Sequence, residues 1–168
     1  MINLRKGRLQ DIEDVLKLHY RYQVDSIKEE DKKDGFVTTA FTKDELTSLI
    51  EKEDGLFLCF KDDILVAYVM CASWQFCSAW PMFRYMLKDL PNLSYKGIQL
   101  SESNSYQYGP ICIDKSQRRS DVLPLLFDFA RDIMSLKYKI LVTFINKNNP
   151  HSLSTLFFTE MWERFSYY

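Results

Sequence analysis

The chain has 168 residues, of which 46% are apolar and 27% are charged, and its formal net charge is −1. This length and composition fit one globular domain with a single core. The near-neutral charge argues against a nucleic-acid-binding protein, which would need a pronounced basic patch. The N-terminus lacks the apolar stretch of a signal peptide, and no segment holds the roughly 20 apolar residues that span a bilayer. We therefore expect no nucleic-acid or membrane partner for this chain.

The cysteines and histidines are scattered along the sequence. None of the four cysteines belongs to a CxxC pair, so we expect reduced, buried thiols in a cytoplasmic protein. They are Cys59, Cys71, Cys77 and Cys112. The two histidines, His19 and His151, have no cysteine cluster nearby. We expect no metal site.

The first half of the chain predicts a strand, two helices and a β-hairpin. Residues 2–9 begin with the alternation of a strand, and residues 11–25 carry apolar side chains at helical spacing. Thr42 followed by Glu45 is a capping-box pattern that predicts the start of the second helix. The charged residues 26–39 between the two helices predict a loop. The hairpin strands are the apolar runs 55–60 and 64–74, separated by Lys61-Asp62-Asp63.

The second half predicts a short helix, a strand, a long helix and a final strand. These elements span residues 79–87, 106–113, 122–136 and 139–145, and the polar segments 91–105 and 114–121 join them. Gly109-Pro110 interrupts the first of these strands, and we predict a β-bulge there because proline lacks an N–H. Pro124 fits the first turn of the long helix, and the last strand is apolar throughout, as in a sheet covered on both faces. The order of elements favours an α/β domain with a mixed sheet.

A basic loop precedes the long helix. Lys115, Arg118 and Arg119 lie just before its N-terminus, where unsatisfied N–H groups and partial positive charge favour a phosphate. The bulge in the preceding strand would free backbone groups for an extended ligand. These features suit an acyl carrier that has a pyrophosphate and an amide-rich arm.

Residues 2–148 resemble the GNAT superfamily of N-acetyltransferases in their order of elements. The resemblance implies an α/β (α+β) fold, with a GNAT-like mixed central sheet flanked by helices and the C-terminal strands truncated. It also implies acetyl-CoA (coenzyme A) as the cofactor and a small-molecule or peptide amine as the acceptor. Asn146 and Asn148 follow the last strand, where the family often uses an asparagine to contact the cofactor arm.

The phosphate loop departs from the family pattern Arg/Gln-x-x-Gly-x-Gly/Ala. With Arg118 at the first position, Asp121 and Leu123 stand at the small-residue positions, and a start at Gln117 places Ser120 and Val122 there. Both registers lose the glycines that let a backbone approach phosphates. Asp121 either takes part in this loop or caps the helix. The cofactor-binding residues that the resemblance implies here are Arg118, Arg119, Ser120, Asp121, Val122 and Leu123.

Acyl transfer requires a polarised thioester, a base and an acid. The resemblance implies that main-chain groups of Ile111, Cys112 and Ile113 contact the cofactor. The candidate bases are Glu102, Tyr106 and Tyr108, each of which is alternatively a structural or solvated residue. The acid is usually a tyrosine on the last helix, and Phe157 and Phe158 occupy that region here. We therefore expect reduced activity.

Two further groups allow a structural or a functional interpretation. Cys112 is either a nucleophile or a buried thiol, and no histidine is near it in sequence. An aromatic set is either core or the wall of an acceptor pocket. Its members are Trp74, Phe76, Trp80, Phe83 and Tyr85.

The last residues differ in character from the rest. The run LFFTEMWERFSYY resembles the opening of the first transmembrane helix of proton-dependent oligopeptide transporters, through their ExxERFxYY pattern. The matching residues are Glu160, Glu163, Arg164, Phe165, Tyr167 and Tyr168. We expect an acyltransferase-like domain over residues 1–149 and a terminal helix over 150–168, which is either a transporter fragment or the last helix of the acyltransferase fold. The chain would then be cytoplasmic, or the cytoplasmic front part of a membrane protein.

Three functional hypotheses follow. The first is an acetyl-CoA-dependent N-acyltransferase that acts on a primary amine. The second is a non-catalytic N-terminal domain of a di-/tripeptide transporter polypeptide. The third is a partner-binding domain that dimerises through an open sheet edge.

Overall fold

The computed structural model describes residues 1–144, which form a sheet with helices on both faces. Its strands are β1 (Ile2–Lys6), β2 (Leu56–Lys61), β3 (Ile64–Ala72), β4 (Ser94–Tyr95), β5 (Ile98–Gln99), β6 (Ser105–Ile113) and β7 (Ile140–Val142). Its helices are α1 (Ile12–Tyr22), α2 (Glu29–Lys32), α3 (Lys43–Ser48), α4 (Trp74–Cys77), α5 (Pro81–Asp89) and α6 (Val122–Met134). Asn146, Asn148 and the terminal segment lie outside the described residues.

The main sheet has the strand order β1-β2-β3-β6-β7. Its first four strands pair antiparallel, whereas β6 and β7 pair in parallel. The predicted mixed sheet is therefore confirmed. Strands β4 and β5 form a separate small hairpin, and β1 and β7 are the two edges of the described sheet.

The two faces of the sheet carry separate cores. On one face α1 packs through Val15, Leu18 and Tyr22, which are at most 3% exposed, together with α3, α4 and α5. On the other face α6 packs through Leu126, Phe127 and Ala130, and it is the one described helix there. The helical spacing of these apolar residues, noted in the sequence, sets which side of each helix faces the sheet.

A predicted helix start and a predicted hairpin turn are both present in the structure. The Thr42 hydroxyl accepts from the Glu45 amide at 3.2 Å, and the Glu45 carboxylate accepts from the Thr42 amide at 2.8 Å, so the predicted capping box is confirmed. Asp62 and Asp63 have φ of +51° and +64°. This left-handed pair matches the twist of the predicted hairpin.

Three segments differ from the sequence-based expectation. The strand expected over residues 64–74 ends at Ala72, because the Ser73 hydroxyl accepts from the Phe76 amide at 3.1 Å and begins α4. The expected loop 26–39 contains the short helix α2, and the expected irregular segment 91–105 contains the β4–β5 hairpin. Each of these additional elements is only two to four residues long.

The four cysteines are buried and unpaired, as predicted. Among the helices of residues 1–144, none is long and apolar enough to cross a bilayer.

Candidate functional site

A β-bulge divides strand β6 into two halves. Val69 pairs with Ile111 and Cys71 pairs with Tyr108, so the single residue between them on β3 faces both Gly109 and Pro110. Gly109 has φ of +121°, which favours glycine strongly. The predicted bulge is confirmed.

Among residues 1–144, the second half of β6 has a strand on one side only. Pairing with β7 ends at Gln107 and Val142, and β3 continues to pair as far as Ile113. The Asp114 amide donates to the Val66 carbonyl at 2.8 Å. Because hydrogen-bonded pairs alternate in an antiparallel ladder, this bond directs the main-chain groups of Ile111 and Ile113 away from β3. Extended backbone that faces away from β3 can pair with an amide-rich ligand.

Cys112, the third candidate for main-chain contact, points the other way. It pairs with Tyr68, so its backbone groups belong to the ladder with β3. Its side chain is 3% exposed, and burial raises the pKa of the thiol to about 12. A neutral, enclosed thiol is a poor nucleophile, which supports the structural interpretation of Cys112.

Asp114 ties the loop that follows β6 to helix α1. Its carboxylate accepts from the Arg21 guanidinium at 2.6 Å, from the Ser116 amide at 3.0 Å and from the Tyr22 hydroxyl at 3.2 Å. The Tyr22 oxygen accepts in turn from the Lys115 amide at 2.8 Å. Burial acts to raise the pKa of Asp114, but the bonds from Ser116 and Arg21 outweigh it and hold this pKa below its usual value. The start of the loop is therefore firmly positioned.

The cations of this loop contact the segment around α2. Lys115 Nζ lies 3.1 Å from Asp31 Oδ1, and this bond raises the pKa of Lys115. Arg118 reaches the Ile113 carbonyl at 3.4 Å and the Asp34 carbonyl at 2.6 Å, and its guanidinium lies 5.0 Å from the centre of the Tyr22 ring. A phosphate would therefore compete with Asp31 for Lys115 and would have to attract Arg118 away from two carbonyls.

Ser120, the residue before the N-cap position of α6, makes a side-chain hydrogen bond that we did not predict. The Ser120 hydroxyl accepts from the Val122 amide at 3.3 Å, whereas the Asp121 side chain makes no cap hydrogen bond. Asp121 has helical dihedral angles, φ −73° and ψ −2°, and side-chain capping requires extended ones. Asp121 stands at the N-cap position, but the alternative in which its side chain caps the helix is not observed for this reason. Arg119, with φ of +64°, holds the left-handed position in the loop.

Few amides remain at this helix end for an anion. Val122 donates to Ser120, and Pro124 has no N–H. Leu125 donates to the Asp121 carbonyl at 3.1 Å. Among the contacts of residues 1–144, the amides of Asp121 and Leu123 are the ones left for a phosphate. The side chain of Val122 is fully buried and that of Leu123 packs on the α6 core, so only their backbones could reach one.

The three candidate bases occupy different places. Tyr106 and Tyr108 are 2% and 1% exposed on the α6 face, and burial raises the pKa of both phenols. Glu102 is exposed before the start of β6, at a cavity of about 380 Å³. Glu102 precedes the buried half of β6, whereas the open half lies beyond the bulge at Gly109 and Pro110. The structure does not bring these three side chains together.

Two buried polar residues were missed by the sequence analysis. His19 is fully buried in α1, its Nδ1 lies 2.6 Å from the Tyr68 hydroxyl, and its Nε2 has no partner among the described residues. Gln107 is fully buried beside the bulge, and its Oε1 likewise has no partner there. Their positions in the sequence could have predicted this burial. His19 lies four residues after Val15, on the apolar face of α1, and Gln107 lies inside an apolar strand.

The aromatic set divides between core and surface. Trp74 and Phe83 are 1% and 2% exposed, whereas Tyr85 is 77% exposed. Trp80 is partly exposed, with its ring 5.4 Å from Phe41 and 6.3 Å from Phe83. A core role therefore describes Trp74 and Phe83, and Trp80 lies where the cluster meets solvent.

A scan against protein-family models and a search of curated proteins found no match to this sequence. Solved structures do match its fold. An N-acetyltransferase from Staphylococcus aureus Mu50 aligns over 99% of this chain and 82% of its own, with a TM-score of 0.59 and 15% identity. Diaminobutyrate acetyltransferase EctA from Paenibacillus lautus, in complex with L-2,4-diaminobutyric acid and coenzyme A, aligns over 99% of this chain and 77% of its own, with a TM-score of 0.63 and 9% identity.

A third structure shows that the same fold carries other chemistry. The GphF GNAT-like decarboxylase, in complex with isobutyryl-CoA, aligns over 84% of this chain with a TM-score of 0.53 and 15% identity. This chain spans 64% of that one. At such identities the likeness concerns architecture, because one fold can host several reactions. The mixed sheet, the bulged and splayed β6 and the helices on both faces give this chain the fold of the GNAT acyl-CoA N-acyltransferases.

Proposed function

We propose that this protein is an acetyl-CoA-dependent N-acyltransferase whose acceptor is a primary amine. The observation that carries the proposal is the open half of β6, where the main-chain groups of Ile111 and Ile113 face away from β3. Acyl-CoA has amide groups along its arm that can pair with such a backbone. The loop 114–121 and the start of α6 follow directly, at the position suited to its diphosphate.

The proposed roles rest on the backbone more than on side chains. The Ile111 or Ile113 amide would donate to the thioester oxygen as negative charge develops there. The amine nitrogen forms a bond to the acyl carbon, the carbon–sulfur bond breaks, and the proton lost by the amine ends on the departing thiolate. The products are an N-acyl amine and a free thiol. Arg118, Arg119, Ser120 and the amides of Asp121 and Leu123 would hold the phosphates, while Asn146 and Asn148 remain proposed contacts of the cofactor arm.

Titration calorimetry with acetyl-CoA tests this proposal, with thiol release in the presence of amines as the activity measurement. The matched variant is Asp121→Gly, which removes a carboxylate beside the proposed anion site and restores the family residue. We expect saturable heat with the natural chain and tighter binding with the variant. No heat from either protein at millimolar acetyl-CoA would overturn the proposal.

The second candidate function is a binding domain without turnover, such as the front part of a peptide-transporter polypeptide. The observation that favours it is the occupied loop, in which Lys115 is paired with Asp31 and Arg118 contacts the Asp34 carbonyl. The transporter resemblance of residues 150–168 stays a prediction from sequence. Binding of acetyl-CoA without thiol release across a panel of amines would favour this candidate.

A further inference from the structure

The connection between α1 and α3 is tied together at its base. The Val24 amide donates to the Val37 carbonyl and the Val37 amide donates to the Tyr22 carbonyl, both at 2.8 Å. The side chains of Ile27 and Val37 are buried in the core. Residues 23–37, which we call the α2 loop, are therefore anchored to the end of α1.

The tip of the α2 loop, residues 28–34, carries a carboxylate that faces the loop 114–121. None of the residues of α2 is buried, yet the Asp31 side chain is 15% exposed, whereas that of Glu29 in the same helix is 87% exposed. Lys115 Nζ lies 3.1 Å from Asp31 Oδ1 and 3.4 Å from Asp31 Oδ2. Both oxygens of this shielded carboxylate therefore contact a cation of the loop that we assign to the diphosphate.

A second contact joins the tip to the same loop. Arg118 Nη1 donates to the Asp34 carbonyl at 2.6 Å, and Arg118 Nε donates to the Ile113 carbonyl at 3.4 Å. Both acceptors are neutral carbonyls, whereas a phosphate offers a guanidinium the opposite charge and two parallel acceptors. Arg118 would therefore gain by exchanging a carbonyl for a phosphate, and Lys115 would exchange one anion for another.

A diphosphate at these two cations would leave Asp31 in an unfavourable position. Its carboxylate would lose its counter-charge while it is largely shielded from water, and it would stand beside a second anion. Because no residue of α2 is buried, the tip can move into solvent with little loss of buried apolar surface. The base of the α2 loop would stay in place through Ile27 and Val37.

We propose that the tip of the α2 loop is an internal competitor for the diphosphate of the coenzyme. In the free protein Asp31 holds Lys115, and a bound diphosphate displaces Asp31 and releases residues 28–34 from the loop 114–121. This inference rests on the proposed function and describes how the same site is regulated. The apparent affinity is reduced to the fraction of molecules whose tip is open, and a ligand that lacks the diphosphate gains nothing by opening it.

Limited digestion of the full chain with trypsin tests this release, with the cleavage sites identified by mass spectrometry. The trypsin sites are three in the tip and two in the loop 114–121, namely Lys28, Lys32 and Lys33, and Arg118 and Arg119. Because cleavage follows the population of the open form, saturating acetyl-CoA should speed cleavage in the tip about threefold or more. It should slow cleavage at the two arginines.

The matched ligand control is S-acetylpantetheine, which has the same thioester arm and no diphosphate. It should leave cleavage in the tip unchanged. Unchanged or slower cleavage in the tip while acetyl-CoA is bound would overturn the inference.

Two substitutions in α2 separate the Asp31 contact from a general effect of charge. Asp31→Asn removes the carboxylate that holds Lys115, so cleavage in the tip without ligand should rise about two- to fivefold, the range expected for one exposed ion pair. Acetyl-CoA should then add correspondingly less. Glu30→Gln removes the same charge from the neighbouring exposed side chain and should behave like the natural chain. Equal cleavage in the tips of the two variants would overturn the inference.

Inorganic pyrophosphate keeps this test separate from the proposed function, because it carries the charge without the acyl arm. At low salt it should also speed cleavage in the tip of the natural chain. If acetyl-CoA gives no heat in calorimetry while pyrophosphate releases the tip, the proposed function fails and the release by diphosphate stands. If acetyl-CoA binds and the tip stays protected, the inference fails and the proposed function stands. A tip that responds to neither ligand overturns the inference.

Discussion

The two halves of strand β6 differ in burial and in strand pairing. Before the bulge, the residues from Ser105 to Tyr108 are all buried, and pairs with both β3 and β7 hold this half in place. After the bulge, β3 is the one described strand that pairs with β6, and most of the β6 side chains are half-buried there. The first half supports the fold, whereas in the second half the main-chain groups of Ile111 and Ile113 face away from β3, toward the proposed ligand. Substitutions in the two halves should therefore act on different measurements.

The largest expected contrast is between Tyr108 and Ile113. Tyr108→Ala removes a fully buried ring and should lower the free energy of unfolding by about 3–5 kcal/mol, whereas Ile113→Ala, at a half-buried position, should cost about 1–2 kcal/mol. Chemical denaturation measures both. The control is Tyr108→Phe, which removes a hydroxyl without a partner in residues 1–144 and should cost about nothing. A large loss in that control would show that the phenol oxygen has a role.

The next effect concerns pH and the histidine beside the open half. Burial lowers the pKa of His19 from 6.5 to about 4, so the unfolded chain binds a proton in this range and the folded chain does not. Stability should therefore fall as the pH drops from about 6.5 to 4, by on the order of 3 kcal/mol. Burial raises the pKa of the Tyr68 phenol, whose oxygen lies 2.6 Å from His19 Nδ1, so this partner stays neutral in this range.

Denaturation curves between pH 4 and 8 check this window, with His19→Asn as the comparison. The variant should lose the slope between pH 6.5 and 4. The carboxylates of Asp11 and Asp114, whose pKa values are lowered in the fold, should act only below about pH 4. An unchanged slope in His19→Asn would show that another group titrates there.

The bulge itself provides the third contrast. Gly109→Ala forces φ of +121° on a residue with a side chain and should cost about 1–3 kcal/mol, although its Cβ would meet nothing closer than Thr143 Oγ1 at 3.8 Å. Because the strain acts where the strand leaves β7, acetyl-CoA affinity should fall as well. Gly97→Ala, with φ of +77° in open space, is the control for strain away from the site. If Gly109→Ala and Gly97→Ala bound acetyl-CoA with equal affinity, the bulge would have no role in binding.

The smallest expected effect concerns the cations of the loop. Asp31→Asn removes the carboxylate that pairs with Lys115 and should tighten acetyl-CoA binding about two- to fivefold, a small effect because exposed ion pairs are weak. Glu13→Gln breaks the comparable surface pair with Lys43 and should leave the affinity unchanged. Calorimetry at low salt measures both. Weaker binding in Asp31→Asn would mean that the pair orders the site.

The sequence allowed prediction of features that depend on neighbouring residues. Gly109-Pro110 predicted the bulge, and Thr42 with Glu45 predicted the start of a helix. The spacing of apolar residues predicted the strands and the helices. Each of these is a local rule of backbone geometry. The mixed character of the sheet followed from the order of elements and from the resemblance.

The remaining features of the site depend on residues far apart in the chain. His19 and Tyr68 are 49 positions apart, and Arg118 and Asp34 are 84 positions apart, so their contacts emerge only from the folded arrangement. The start of α6 shows that two neighbouring residues with the same capping preference can be hard to tell apart from sequence. Ser120 and Asp121 are both good capping residues, and the positive φ of Arg119 and the helical angles of Asp121 decide between them.

The most direct test of the central claim is amide hydrogen exchange at Ile111 and Ile113, with Tyr106 and Tyr108 as internal references in the same strand. In the free protein, the amides of Ile111 and Ile113 should exchange faster than those of the first half. Saturating acetyl-CoA should slow these two amides and leave the references unchanged. Exchange at Ile111 and Ile113 that does not respond to millimolar acetyl-CoA would contradict the assignment of this backbone as the acyl-donor site.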